Sequence, residues 1–139
     1  MSRERDTGDI IDRYTIAQLK HERMGDDEHK REYESFKHLL FKTNENNIIP
    51  TQELDHFVKM MYDINDFIWQ LEAGLKGGKE ELVDPYYILH DSNEKVLAKI
   101  GVTAILNRHF NHLRIQLKNL INIRFGEGFL DNKKDHVSS

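Results

Sequence analysis

The residues best equipped for chemistry lie on three helical stretches. In the segment Asn65-x-x-Ile68-Trp69-x-x-Glu72, an amide, an indole and a carboxylate recur at spacings of three and four. That spacing places them along one side of a helix. In the segment Arg108-x-x-Asn111-x-x-Arg114-x-x-x-Lys118, guanidinium, amide and ammonium groups share a strip in the same way. Arg and Lys bind carboxylate or phosphate oxygens, Arg through a planar fork of donors. Near the start, Asp12, Arg13 and Lys20 add a carboxylate and two cations. Together these groups suit the binding of an anionic, nucleotide-like molecule. Arg13, Lys20, Arg108, Arg114 and Lys118 would meet its oxygens, and Asn65 and Asn111 would give directional hydrogen bonds. Asp12 and Glu72 would orient the bases or contact a sugar hydroxyl, and Trp69 could stack on a ring.

Each group also has a structural reading. Asn65 and Glu72 interrupt an otherwise apolar seam of Leu54, Val58, Met61, Ile68 and Leu75, widened by Phe57, Ile64 and Leu71. A buried, unpaired amide costs about 1–3 kcal/mol and a carboxylate more, so both need partners if buried. A hydrogen-bond network that fixes helix register meets that need as well as a ligand does. Trp69 is expected in the core, with a pocket wall as the alternative. From Lys95 to Arg124 there are six Lys or Arg and no Asp or Glu, whereas Glu45 to Glu94 holds 11 acidic and 3 basic residues. Antiparallel pairing of these two regions would bring Glu72 to Arg108, Arg114 or Lys118. The two explanations are compatible, because carboxylates can orient bases that keep donors to spare.

The elements that must position these groups are helical. Only 2 Pro and 8 Gly occur in 139 residues, and period-two alternation is scarce,. A first helix runs from about Thr7-Gly8-Asp9 to Met24, capped by Thr7 or Asp9. Its apolar residues form no single stripe, which predicts packing on more than one side. Gly25 ends it, and Asp26-Asp27 caps a second helix with Tyr33, Phe36 and Leu40 on one stripe. Thr51, after Pro50, caps a third helix from about Gln52 to Leu75. A short helix through Tyr86, Tyr87 and Leu89 follows. Asp91-Ser92-Asn93-Glu94 then opens a last long helix to about Phe125, bent near Gly101, with Leu106, Phe110, Leu113, Leu117 and Leu120 as its apolar face. The expectation is one all-α domain over residues 1–139: a compact bundle of about four main helices with a polar interior strip and loose ends at 1–6 and 131–139.

Composition narrows the function classes. The net charge is −4 and there is no Cys. Disulfides, thiol nucleophiles and Cys-ligated zinc are therefore excluded. No apolar run approaches the roughly 18 residues of a membrane span, and the N-terminus lacks the apolar core of a secretory signal. A cytoplasmic setting and no membrane partner are expected. The acidic total and the lack of interleaved exposed aromatics argue against nucleic acid. A homodimer is plausible, given long apolar helices in a short chain.

Enzyme signatures are sparse. No Gly-rich phosphate loop, His-Glu-x-x-His or Gly-x-Ser-x-Gly is present. His109 and His112 read as surface residues. His90-Asp91, with His56 upstream, is similar to the pair in metal-dependent HD phosphohydrolases, but the usual trailing Asp is not identifiable. Asp63, Asp66 and Glu72 resemble the Mg²⁺-binding carboxylates of MazG-type pyrophosphohydrolases, although no Glu-x-x-Glu accompanies them. No cofactor is expected; Mg²⁺ enters only under that hydrolase alternative.

The stretch Asp9-Ile10-Ile11-Asp12-Arg13-Tyr14-Thr15-Ile16-Ala17-Gln18-Leu19-Lys20 resembles the opening of small, poorly characterised helical proteins of phages and bacteria. Those read roughly Asp-Ile/Leu-Ile/Leu-Asp-Arg/Lys-x-Thr/Ser-Ile-x-x-x-Lys. The likeness continues at Asn65-x-x-Ile68-Trp69-x-x-Glu72 and at Arg108-x-x-Asn111-x-x-Arg114-x-x-x-Lys118. It implies no established activity. The leading reading is non-catalytic binding or sequestration of a phosphorylated molecule, for a phage a host defence nucleotide signal. The alternatives are a metal-dependent nucleotide hydrolase and a structural or protein-interaction module.

Overall fold

The computed structural model describes residues 5–75 and 93–127. They form four helices: α1 (Thr7–Met24), α2 (Asp27–Thr43), α3 (Thr51–Leu75) and α4 (Asn93–Arg124). No strand occurs among the described residues, and the fold is an all-α bundle. The short helix expected around Tyr86 and the pair His90-Asp91 lie outside them. α4 passes through Gly101 without interruption.

The helix starts follow from local polar chemistry. Asp6 caps α1, its Oδ1 accepting from the Asp9 amide at 2.8 Å. The expected cap was Thr7 or Asp9; Thr7 instead donates from its amide and its hydroxyl to Glu127, at 2.9 and 2.6 Å. A carboxylate at a helix N-terminus is favoured by the orphan amides and by the dipole. Arg5 and Asp6 are thereby part of the folded unit, since Arg5 also donates to Asp9. Asp26 caps α2 as expected, accepting from the His29 amide. α3 begins one residue before the expected point, with Pro50 supplying the first carbonyl to Leu54. Gly25 ends α1 at φ 69°, the left-handed conformation that glycine adopts without steric cost,.

α1 is the hub, packing against each of the other three helices. This is the many-sided packing its scattered apolar pattern predicts. The core joins Ile11 and Ile49 to Phe57 and Met61 of α3 and to Leu117, Ile121 and Phe125 near the end of α4. The α3 seam is buried at Phe57, Met61, Asn65 and Ile68, as its spacing requires. α2 buries no residue fully. It rests on α1 through half-buried side chains, with Tyr33 stacked between Tyr14 and His21 at ring separations of 5.5 and 5.2 Å.

α4 departs from the expected orientation. Leu106 and Leu120, assigned above to its apolar face, are 40% and 47% exposed, whereas Asn122 is fully buried. The helix is rotated so that its polar strip points inward at α1. Gly8 makes that approach possible: a Cβ there would lie 2.5 Å from the Lys118 carbonyl oxygen. The Gly8 amide donates to Asn122 Oδ1 at 2.7 Å, closing the contact.

Candidate functional site

Asp12 is the centre of a buried polar group between α1, α3 and α4. Asn65 Nδ2 donates to Asp12 Oδ1 and to Thr15 Oγ1, both at 2.9 Å. Thr15 in turn donates to the Asp12 carbonyl. From α4, Arg114 Nε lies 4.0 Å from Asp12 Oδ1 and Lys118 Nζ lies 3.9 Å from Asp12 Oδ2. Lys118 also donates to Asp9 Oδ1 at 3.4 Å. Burial pushes the Asp9 carboxyl up, but its hydrogen bond from Arg5 and the charges of Lys118 and Arg13 outweigh this and hold it below its ordinary value,.

Directly beside this network the three helices leave a cleft of about 370 Å³. Six of the candidate residues line it: Lys20, Asn65, Trp69, Glu72, Asn111 and Arg114, with Ile16, Leu19 and Ile68 as the apolar wall. A cleft of this size falls at the small end of the ~300–1,000 Å³ typical of ligand sites. Asp12 and Lys118 are outside the lining; Asp12 reaches it through Asn65 and lies 4.0 Å from Arg114, and Lys118 faces Asp9 and Asp12. Arg13 is exposed and bound to Asp9 at 3.0 Å, and Arg108 is exposed and outside the lining. These two do not join the site.

Several side chains take roles that differ from expectation. Trp69 is a half-buried wall of the cleft rather than a core residue, with the Arg23 guanidinium 5.4 Å from its ring centre. Glu72 makes no ion pair with Arg108, Arg114 or Lys118. Arg114 and Lys118 turn to α1 instead, and the α3–α4 charge pairing is realised at Glu53–Arg124, a two-pronged contact. That pair holds the Glu53 carboxyl below its ordinary value, the Arg124 hydrogen bond being the main cause. Arg114 Nε is buried and has no hydrogen-bond partner. Asn111 Nδ2 is committed to Asn107, at 2.9 Å to the carbonyl and 3.2 Å to the side-chain oxygen.

Asp9 and Thr15 are defined positions of the opening motif, but their contacts, like those of Gly8 and Asn122, are not evident from it. Asn122 falls on the same strip as Lys118, which is the one sequence signal for it. Among the described residues no three His, Asp or Glu side chains converge as a metal site. Of the carboxylates considered for Mg²⁺, Asp63 pairs with Lys59 and Asp66 accepts from Arg23 and Gln70. His56, His109 and His112 are exposed. No described helix is long and apolar enough to cross a membrane.

Comparison with known proteins adds no assignment: no family model, no curated protein and no solved structure matches the chain.

Proposed function

We propose that the cleft between α1, α3 and α4 binds a small anionic, nucleotide-like molecule without turning it over. The observation that carries this reading is that Lys20 of α1 and Arg114 of α4 line one cleft, and that Arg114 makes no hydrogen bond among the described residues, its Nε lying buried 4.0 Å from Asp12. Asp12 is set back from the opening and orients Arg114 at 4.0 Å rather than consuming its fork. Trp69, Ile16 and Ile68 offer the flat and apolar surfaces that a ring needs,. Native mass spectrometry of freshly purified protein, followed by incubation with a nucleotide panel with and without Mg²⁺, tests the reading. Retained or added intact nucleotide is expected. Conversion of the nucleotide would favour the hydrolase alternative, and no adduct across the panel would remove the reading.

A second reading, an interaction module, draws on a different surface. Val102, Leu106, Leu113 and Leu120 follow a spacing of four and seven along the outer side of α4, and Val102, Leu106 and Leu120 are each at least 40% exposed. That is the repeat of a helix-pairing seam. A second copy of the chain would cover it with little charge repulsion, because Arg114, Lys118 and Arg124 already face carboxylates. Sedimentation velocity should then show a dimer that Leu106→Glu with Leu120→Glu converts to a folded monomer; a monomeric parent protein would rule the seam out as a self-association surface.

A further inference from the structure

The hydrogen-bonding capacity of the cleft is uneven. Asn65 Nδ2 is spent on Asp12 and Thr15, and Asn111 Nδ2 on the carbonyl and side chain of Asn107. An amide nitrogen has two hydrogens, so neither Asn has a donor left. What either can offer a ligand is its Oδ1. Glu72 is also an acceptor when ionised. The charged donors on the wall are therefore Lys20 and Arg114, the Trp69 indole N–H is a neutral one, and the acceptors are Asn65, Asn111 and Glu72,.

Charge is limited in the same way. Lys20 and Arg114 are the cations lining the cleft and Glu72 is the carboxylate, an excess of one positive charge, while Lys118 faces Asp9 and Asp12. Lys20 also lies 4.0 Å from Glu32. A phosphate monoester carries about −1.5 to −2 at neutral pH, and each further phosphate adds to that. Polyphosphate sites commonly recruit backbone amides from a helix N-terminus or a Gly-rich loop. Here the lining residues fall at 16–20 of α1, 65–72 of α3 and 111–114 of α4, past the first turn of each helix. Amides at such positions are committed to their own helix.

We infer that the cleft selects a ligand with one compact anionic head and a body that carries hydrogen-bond donors, and discriminates against di- and triphosphates. The head sits at Lys20 and Arg114. The body presents amino or hydroxyl groups to Asn65, Asn111 and Glu72, with its ring against Trp69. A nucleoside monophosphate with an exocyclic amine has this chemistry. The inference rests on the binding reading proposed above and sharpens it, because the directional hydrogen bonds of the two Asn are narrowed to acceptance.

Isothermal titration of the full chain in EDTA with adenosine mono-, di- and triphosphate, and with inosine monophosphate, provides the test. Adenosine monophosphate should bind at least about tenfold more tightly than the triphosphate, the scale of a small electrostatic discrimination. It should also bind more tightly than inosine monophosphate, whose base has a carbonyl in place of the amine. Glu72→Gln, nearly isosteric and half-buried, should narrow the gap between mono- and triphosphate while circular dichroism stays unchanged. Equal or tighter binding of the triphosphate by the parent protein would overturn this inference and leave the binding reading standing. Binding of none of the four would overturn both.

Discussion

At the scale of single residues, Asn65 is the side chain on which the buried network turns. It supplies two donors, to Asp12 and Thr15, and is only 5% exposed. Removing it leaves the Asp12 carboxylate short of a partner in a poorly solvated site. Asn65→Ala should therefore cost about 1–3 kcal/mol, the penalty of an unmet buried polar group, read from urea denaturation. Asp9 gives a pH dependence of known sign. Its folded-state pKa is held below the ordinary value, so its contribution is present above roughly pH 4 and is lost as pH falls through the lower, folded value,. Stability should fall on acidification below that point, and Asp9→Asn should flatten the fall; a parent protein equally stable at pH 3 and pH 7 would contradict this. Six of the residues that line the cleft were legible in the sequence, because polar groups stood at helical spacing on apolar seams, whereas the same spacing also drew in Arg13 and Arg108, which face solvent. The hydrogen-bonding roles of the six were not legible: Asn111 donates to a side chain four residues away on its own helix, and only the folded geometry shows that its donors are used.

At the scale of elements, the α1–α4 contact sets the cleft. The helices approach through Gly8, and the atom opposing a Cβ there is backbone, which cannot rotate aside. Gly8→Ala should force the helices apart and destabilise by about 1–3 kcal/mol, the cost of overpacking, even though Ala is the better helix former. Thermal denaturation reads this directly, and a Gly8→Ala protein as stable as the parent would contradict the close approach. The α3 seam was readable from its three- and four-residue spacing, since burial and periodicity agree there. α4 was not, because its apolar and polar residues form two competing faces. The polar face goes inward to Asp9, Asp12 and Gly8, and Leu117, Ile121 and Phe125 follow it into the core. Leu106 and Leu120 are turned out by the same rotation. A reading that places the most apolar face inside cannot anticipate a helix whose cations find buried carboxylates.

At the scale of the whole molecule, the net charge of −4 conceals a division between an acidic middle and a final helix rich in cations. The fold uses that division at Glu53–Arg124, whereas Arg114 and Lys118 of the final helix face Asp9 and Asp12 of α1. Stability is also divided. α1, α3 and α4 share the core, while α2 buries no side chain completely and lies against α1 through an aromatic stack. Hydrogen exchange should therefore release α2 amides by local opening before those of α1 and α3. Uniform protection across all four helices would contradict that order.

On the proposed reading, Arg114 and Lys20 hold an anion in a cleft walled by Trp69. Trp69 is the single tryptophan of the chain, so its fluorescence reports on that wall alone. Titration with adenosine monophosphate should produce a saturable change in emission that Arg114→Ala weakens by about tenfold or more, the worth of a charge-assisted contact, while Arg13→Ala, outside the cleft, leaves it within about twofold. A titration with no saturable change, or one that Arg114→Ala leaves untouched, would contradict that reading.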